Sequence, residues 1–348
     1  MNNTRYVKVD IDYTKPPTSA GFGYPLIFEG KATKAIPYTE CTSIDEVIKA
    51  VGGITAGDNE EAIATKTAAA KETAIYKAAV LMLMQDDAPS KIAVCASTDV
   101  ATTGLASILH YGWRQLVVTS VDVEGEDTIK IISDFIETTN KMYFASVATV
   151  AEATIEGNDR TIMLVHDEEV VCPEAALVGA TAGNVAGSIT YAFRNLKGLT
   201  AKVLTDAEID AIHNANAMCY IAVHGMEMTS EGKTTGDTYV DIIDAEDFVI
   251  QEITYRTLQL FVNNKKVPYD NSGISMLESV CVNVLNEAAN NGIVALTDAG
   301  TPDYDVSYKP RSQTSASDRA ARRYVEGSFR FGLAGAIHSA EIKGTIDI

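Results

Sequence analysis

From Arg5 to Tyr13 polar and apolar positions alternate: Tyr6, Lys8, Asp10 and Asp12 face one way, and Val7, Val9, Ile11 and Tyr13 the other. Period-two alternation over about nine residues predicts an extended strand of roughly 30 Å. Pro16-Pro17 then forbids continued sheet pairing and predicts a linker. The last residues, Glu341–Ile348, also read as a strand, with Ile342, Ile346 and Ile348 on one face. The chain is therefore expected to begin and end in β-strand arms, although such patterning equally suits strands that complete their own sheet.

Between the arms the period changes. Ser43 precedes an apolar helical pattern to Ala50, with Glu46 at capping-box spacing. Asn59–Gln85 reads as one long alanine-rich helix. Strand-like runs at Lys91–Ser97, Gln115–Val121, Met142–Val147 and Thr161–His166 are separated by helical patterns at Asp99–Tyr111 and Glu126–Thr139, which argues for a parallel or mixed α/β layer. Gly179, Gly183 and Gly187 recur every four residues and would line one close-packing helix face. Thr205-Asp-Ala-Glu208 opens another helix, and Ala217–Val223 reads as an apolar strand. Polar Ser230–Asp237 suggests a hairpin turn between Tyr220–Met228 and Thr238–Ile243. Helices are expected at Ala245–Asn263 and Ile274–Asn291, alternation at Asp303–Lys309, a loop at Arg311–Asp318, and Tyr324–Ile337 leading to the terminal strand. The fold class is α/β of mixed α+β kind: a globular multi-layer core with extended N- and C-terminal β-strand arms. The expected divisions are 1–20 (arm and linker), 21–190 (α/β domain), 191–338 (C-terminal domain) and 339–348 (arm).

With 46% apolar residues the 348-residue chain has enough to bury a core, so global disorder is excluded. No run approaches the roughly 18 apolar residues of a membrane span, and no secretory pattern opens the chain. Synthesis and folding in a cytoplasm are expected. The net charge of −19 opposes nucleic-acid binding. Its distribution is uneven: 86–174 holds 16 acidic and 5 basic residues, 205–252 holds 11 and 1, and 308–330 reverses to 2 and 6. Blocks of opposite sign suit attraction between copies or to an oppositely charged partner, although each block alone also suits a solvated surface.

Chemistry finds little support. The five cysteines are scattered, lack a CxxC pair and read as small buried hydrophobes. Gly232-Lys-Thr234 lacks the upstream glycine of a phosphate loop, having Glu227 there. Gly21-Phe-Gly23 lacks the third glycine of a dinucleotide fingerprint. The five histidines show no metal-ligand spacing, and His166-Asp-Glu-Glu169 reads as a solvated strand end. No nucleophile elbow occurs. No catalytic, cofactor-binding or metal-ligating residues are expected.

Several phrases, in order, resemble the contractile-tail sheath family of phages with Gram-positive hosts, related defective prophages and R-type bacteriocins. They are Phe22–Leu26, Thr190–Leu199, Leu204–Asp206, Met228–Thr234, Asp241–Ile243, Lys266–Asp270, Asp318–Arg322, Leu333–His338 and Ile342–Thr345. The match is densest after Thr190 and weakest over Ile54–Val150. The resemblance implies a structural, non-enzymatic subunit that polymerises with itself as stacked rings around an inner tail tube protein. It also implies association with a baseplate and tail terminator, cytoplasmic assembly and release within a particle. Terminal strands would join a neighbour's sheet, making Tyr6, Val7, Val9, Ile11, Ile342, Ile346 and Ile348 the linking residues. Lys309, Arg311, Arg319, Arg322, Arg323 and Arg330 are expected to face the tube or an acidic neighbour. An α/β enzyme, or another self-assembling shell protein, are the alternatives.

Overall fold

The computed structural model describes residues 23–345, apart from 123, 124, 127, 156, 168 and 169. Eight strands form one sheet: β1 (Tyr24–Glu29), β2 (Ile36–Cys41), β3 (Ile92–Ala96), β4 (Trp113–Val118), β5 (Met142–Val147), β6 (Thr161–Val165), β7 (Met218–Val223) and β8 (Met226–Thr229). Their order is β2-β3-β1-β4-β5-β6-β7-β8. The six inner strands run parallel, and β2 and β8 are antiparallel edges. Strands buried on both faces are mostly apolar, and these are near-continuous hydrophobic runs, with the buried Arg114 and Gln115 of β4 among the exceptions.

Alternate strand residues feed two cores. Ile27, Val94, Val117, Phe144, Leu164 and Tyr220 pack under α1 (Ile44–Gly52), α3 (Ala74–Leu83) and α6 (Glu174–Thr181). Leu26, Phe28, Cys95, Leu116, Tyr143 and Cys219 pack under α4 (Ala101–Ile108), α5 (Ile129–Glu137) and α7 (Asp206–Asn214). Gly179 lets α6 lie directly on the end of α3, since a Cβ there would stand 2.2 Å from the Met82 carbonyl oxygen. The expected glycine-lined helix stops at Thr181, so Gly183 and Gly187 make their close approaches, to Asp87 and Ala245, from beyond it.

Two patterned expectations are corrected. The long helix over Asn59–Gln85 is two helices, α2 (Glu60–Glu72) and α3. Thr73 breaks it: with ψ at 150° its hydroxyl donates to Ala70 O and accepts from Tyr76 N, ending one helix and capping the next. The hairpin is β7–β8, turning tightly at His224-Gly225, both with positive φ, rather than through Ser230–Asp237. Thr238–Ile243 is correspondingly not a strand; α8 (Val240–Asn263) begins within it.

Residue 190 lies between β6 and β7 of the one sheet, and the C-terminal core begins only in α8. There α8 pairs with α9 (Asn271–Asn290), whose N-terminus Asp270 caps, and a two-stranded antiparallel sheet of β9 (Tyr304–Tyr308) and β10 (Gly327–Phe331) covers α9. Among the described residues no helix is long and apolar enough to cross a membrane.

Candidate assembly surface

The C-terminal unit is fastened to the sheet by buried charge. Arg114 is the second residue of β4, Arg160 precedes β6, and Asp244 and Asp247 lie on α8; all four are 3–4% exposed. Arg114 reaches Asp247 Oδ2 at 2.6 Å and also binds Asp244, while Arg160 grips both Asp247 oxygens. Tyr191 donates to Asp244 Oδ2 at 3.0 Å. Burial alone would raise the Asp247 carboxyl, but Arg114 and Arg160 outweigh it and hold the group below its ordinary value. Sequence reasoning missed this cluster. Its signal was two acids three residues apart on the apolar stripe of a helix, where a solvated charge would not be placed.

The crevice at the carboxyl ends of β1 and β4, where α/β sheets of this order bind small ligands, is bridged. Gly30 N donates to Ser120 Oγ at 2.7 Å, and Lys31 pairs with Asp122 at 2.8 Å.

The β9–β10 sheet has one dry face. Tyr304, Val306, Tyr308, Phe329 and Phe331 pack on the α8–α9 core, while Asp305, Ser307, Ser328 and Arg330 point outward. Among the described residues no third strand pairs with either one; residues 293–295 bridge only Asp303, Gly332 and Ala334, just beyond their ends, so the lateral edges are open to an added strand. Gly327 is required where it sits, because a Cβ there would stand 2.7 Å from the Tyr308 ring.

The loop between these strands carries the basic block. Tyr324 stacks on Tyr308 and its hydroxyl donates to Lys309 O, while the Tyr269 hydroxyl donates to Arg323 O. α10 (Ala316–Ala320), capped by Ser315, lies within the loop. Lys309 pairs with Glu326, Arg323 with Asp318 and Arg330 with Asp305, and Arg319 donates to the carbonyls of Thr314 and Arg311. Arg311 and Arg322 are exposed and, among the described residues, take part in no ion pair.

Of the expected linking residues, Tyr6, Val7, Val9, Ile11, Ile346 and Ile348 lie outside the described residues. Ile342 is described; it is 91% exposed, in a segment, 339–345, that forms no strand and pairs with no strand among the described residues.

Residues 240–346 match a family model described as the E217 tail sheath protein gp31-like C-terminal domain. None of the curated proteins matches the sequence. Among solved structures, a chain of the anti-feeding prophage baseplate superposes with a TM-score of 0.67 at 13% identity, covering 99% of this chain and 98% of its own. A chain of the PVC extracellular contractile injection system sheath complex, in its contracted state, gives 0.66 at 11% identity, with 98% of each chain covered. The sheath tail protein Lin1278 from Listeria innocua gives 0.53 at 11%, covering 84% of this chain and 90% of its own. Residues 240–346 are thus similar to a tail sheath C-terminal domain, and the chain as a whole shares the fold of chains from contractile sheath assemblies.

Proposed function

We propose that this chain is the repeating, non-catalytic subunit of a contractile tail sheath, polymerising with copies of itself as stacked rings around an inner tube. The observation that carries the reading is the β9–β10 sheet with both edges open, in the same C-terminal domain as a tail whose Ile337 and Ile342 stand 84% and 91% exposed. The β9–β10 sheet packs on α9 by one face and has no further strand beside it among the described residues, and the described tail beyond His338 lies in water. Added strands from neighbours satisfy both deficits through main-chain hydrogen bonds and burial of alternate side chains. The N-terminal arm, with Val7, Val9 and Ile11, and the C-terminal arm, with Ile342, Ile346 and Ile348, are the donors.

The body must move as a unit while such links hold. The buried Arg114–Asp244–Asp247–Arg160 cluster suits that requirement, since it ties α8 to the sheet over 130 residues of chain. Arg311 and Arg322 are the cations free to meet an acidic tube or neighbour. Sheath polymer, tube, baseplate and terminator are the partners of this reading, with assembly in the bacterial cytoplasm before release. An enzyme of the same sheet order would use the crevice that Lys31 and Asp122 bridge.

Negative-stain microscopy of the expressed chain is expected to show tubes. A compact soluble oligomer would favour the enzyme, and sheets or closed shells a different assembly. Deletion of residues 1–13 is expected to leave a folded subunit that forms no tubes; unfolding of that core by circular dichroism would place the strand in its own subunit's sheet instead.

A further inference from the structure

After β10 the chain is tied to the body through its backbone by Ala295 N to Gly332 O and Gly332 N to Asp303 O, both at 2.8 Å, and last by Ala334 N to Ile293 O at 2.9 Å. From Leu333 to Thr345 every described residue is exposed except His338. Its imidazole is held on all sides. Nε2 lies 2.9 Å from Thr190 Oγ1 and Nδ1 3.2 Å from Glu231 Oε1. Phe193 and Tyr239 stand edge-on to the ring at 5.6 and 5.1 Å.

The partners have ties of their own besides His338. Thr190 Oγ1 also accepts from Ala192 N at 3.2 Å, which fixes the hydroxyl beside Nε2. Glu231 Oε1 is fixed by Gly232 N at 2.9 Å and can accept from Nδ1–H. A hydroxyl and a carboxylate at this separation, between two aromatic edges, suit the two ring nitrogens of an imidazole. Thr190 and Phe193 come from the segment before α7, and Glu231 and Tyr239 from the segment after β8, so the socket joins two parts of the body to the tail.

We infer that Thr190, Phe193, Glu231 and Tyr239 form a socket for the His338 imidazole, and that this peg sets the point at which the C-terminal arm becomes free. The inference rests on the proposed role of that arm as a link between subunits. With the peg seated, Ile342 is four residues from its anchor, a reach of about 13–14 Å; without it the anchor retreats to Ala334 and the reach becomes about 26–29 Å. A doubled tether lowers the effective concentration of the arm at a neighbour's sheet about threefold. The socket thus keeps the arm short and aimed while it searches for its partner.

A nitroxide on Ser339→Cys, in the full chain with half-buried Cys172 replaced by Ala, reads the peg in unassembled subunits. The expected spectrum is broad, and His338→Ala or Glu231→Ala should each narrow it without altering the melting temperature. A narrow spectrum in the parent, unchanged by either variant, overturns the socket. Deletion of residues 339–348 tests the link separately, through tube formation, so the socket and the sheath reading fail on different measurements. If the socket holds, His338→Ala should slow tube growth about threefold at limiting subunit concentration; unchanged growth overturns its role in setting the arm.

Discussion

Asp247→Ala should be among the most damaging single substitutions in this chain. The carboxylate is the shared partner of Arg114 and Arg160, and all three side chains are 3–5% exposed. After its removal Arg114 keeps Asp244, but Arg160 is left facing only the Met142 sulfur at 3.8 Å. Breaking a buried pair in this way costs about 3–5 kcal/mol, because a desolvated charge loses its counter-charge. Against a typical total of about 5–15 kcal/mol, that is a large fraction. Urea unfolding of the unassembled subunit, followed by circular dichroism, should show the midpoint falling at unchanged slope. The pH dependence has a defined sign. The folded-state carboxyl sits below its ordinary value, so its contribution is fully present above about pH 4 and is lost as pH falls through the lower folded value. Wild type should therefore lose stability in acid more steeply than the variant. Pairing Asp247→Leu with Arg160→Met should recover most of the loss, since an apolar replacement of the pair removes the stranded charge. A loss under about 1 kcal/mol for Asp247→Ala, or no recovery in the double variant, would refute the claim that these charges are desolvated and coupled.

Glu174 is buried beside Ser146 Oγ at 2.6 Å, and burial pushes its carboxyl up to about 7. Its stabilising protonated form is fully present below about pH 4.5 and is lost as pH rises through 7, so Glu174→Gln should flatten that fall and gain about 2–3 kcal/mol at pH 8; equal pH profiles in thermal melts would contradict it. Gly327→Val drives a side chain into the Tyr308 ring and should abolish tube formation while the eight-stranded sheet persists by circular dichroism. Reversing Arg311 and Arg322 to Glu should reduce tube yield and make it more salt-sensitive, whereas Arg323→Glu, whose partner is Asp318, should act more weakly; equal effects would show that pairing within the subunit does not decide which cations face a partner. Ile342→Asp should block polymerisation and leave the melting temperature of the free subunit unchanged, because that side chain is already in water.

Local chemistry was legible. Ser43 caps α1 and Thr205 with Glu208 closes a capping box on α7, because each contact spans three residues. The runs that became β3, β4, β5 and β6 announced themselves as short apolar stretches between helical patterns. β1 and β2 did not, since Tyr24–Glu29 sits directly after turn-like residues and Pro37 interrupts Ile36–Cys41; both become strands because β3 and β4 lie beside them. The break at Thr73 and the turn at His224-Gly225 were outweighed in the pattern by a longer alanine-rich stretch and a more polar loop.

The sequence alone determined the alternation of strand and helix from β3 to β6, the capped helix ends and the sign of each charge block, all of which depend on neighbours a few residues away. Tertiary structure alone decided that β1 lies between β3 and β4, that Asp247 meets arginines 133 and 87 residues distant, and that His338 is pegged 148 residues from Thr190. Those outcomes depend on which surfaces share one low-dielectric interior, and periodicity along a chain carries no record of that.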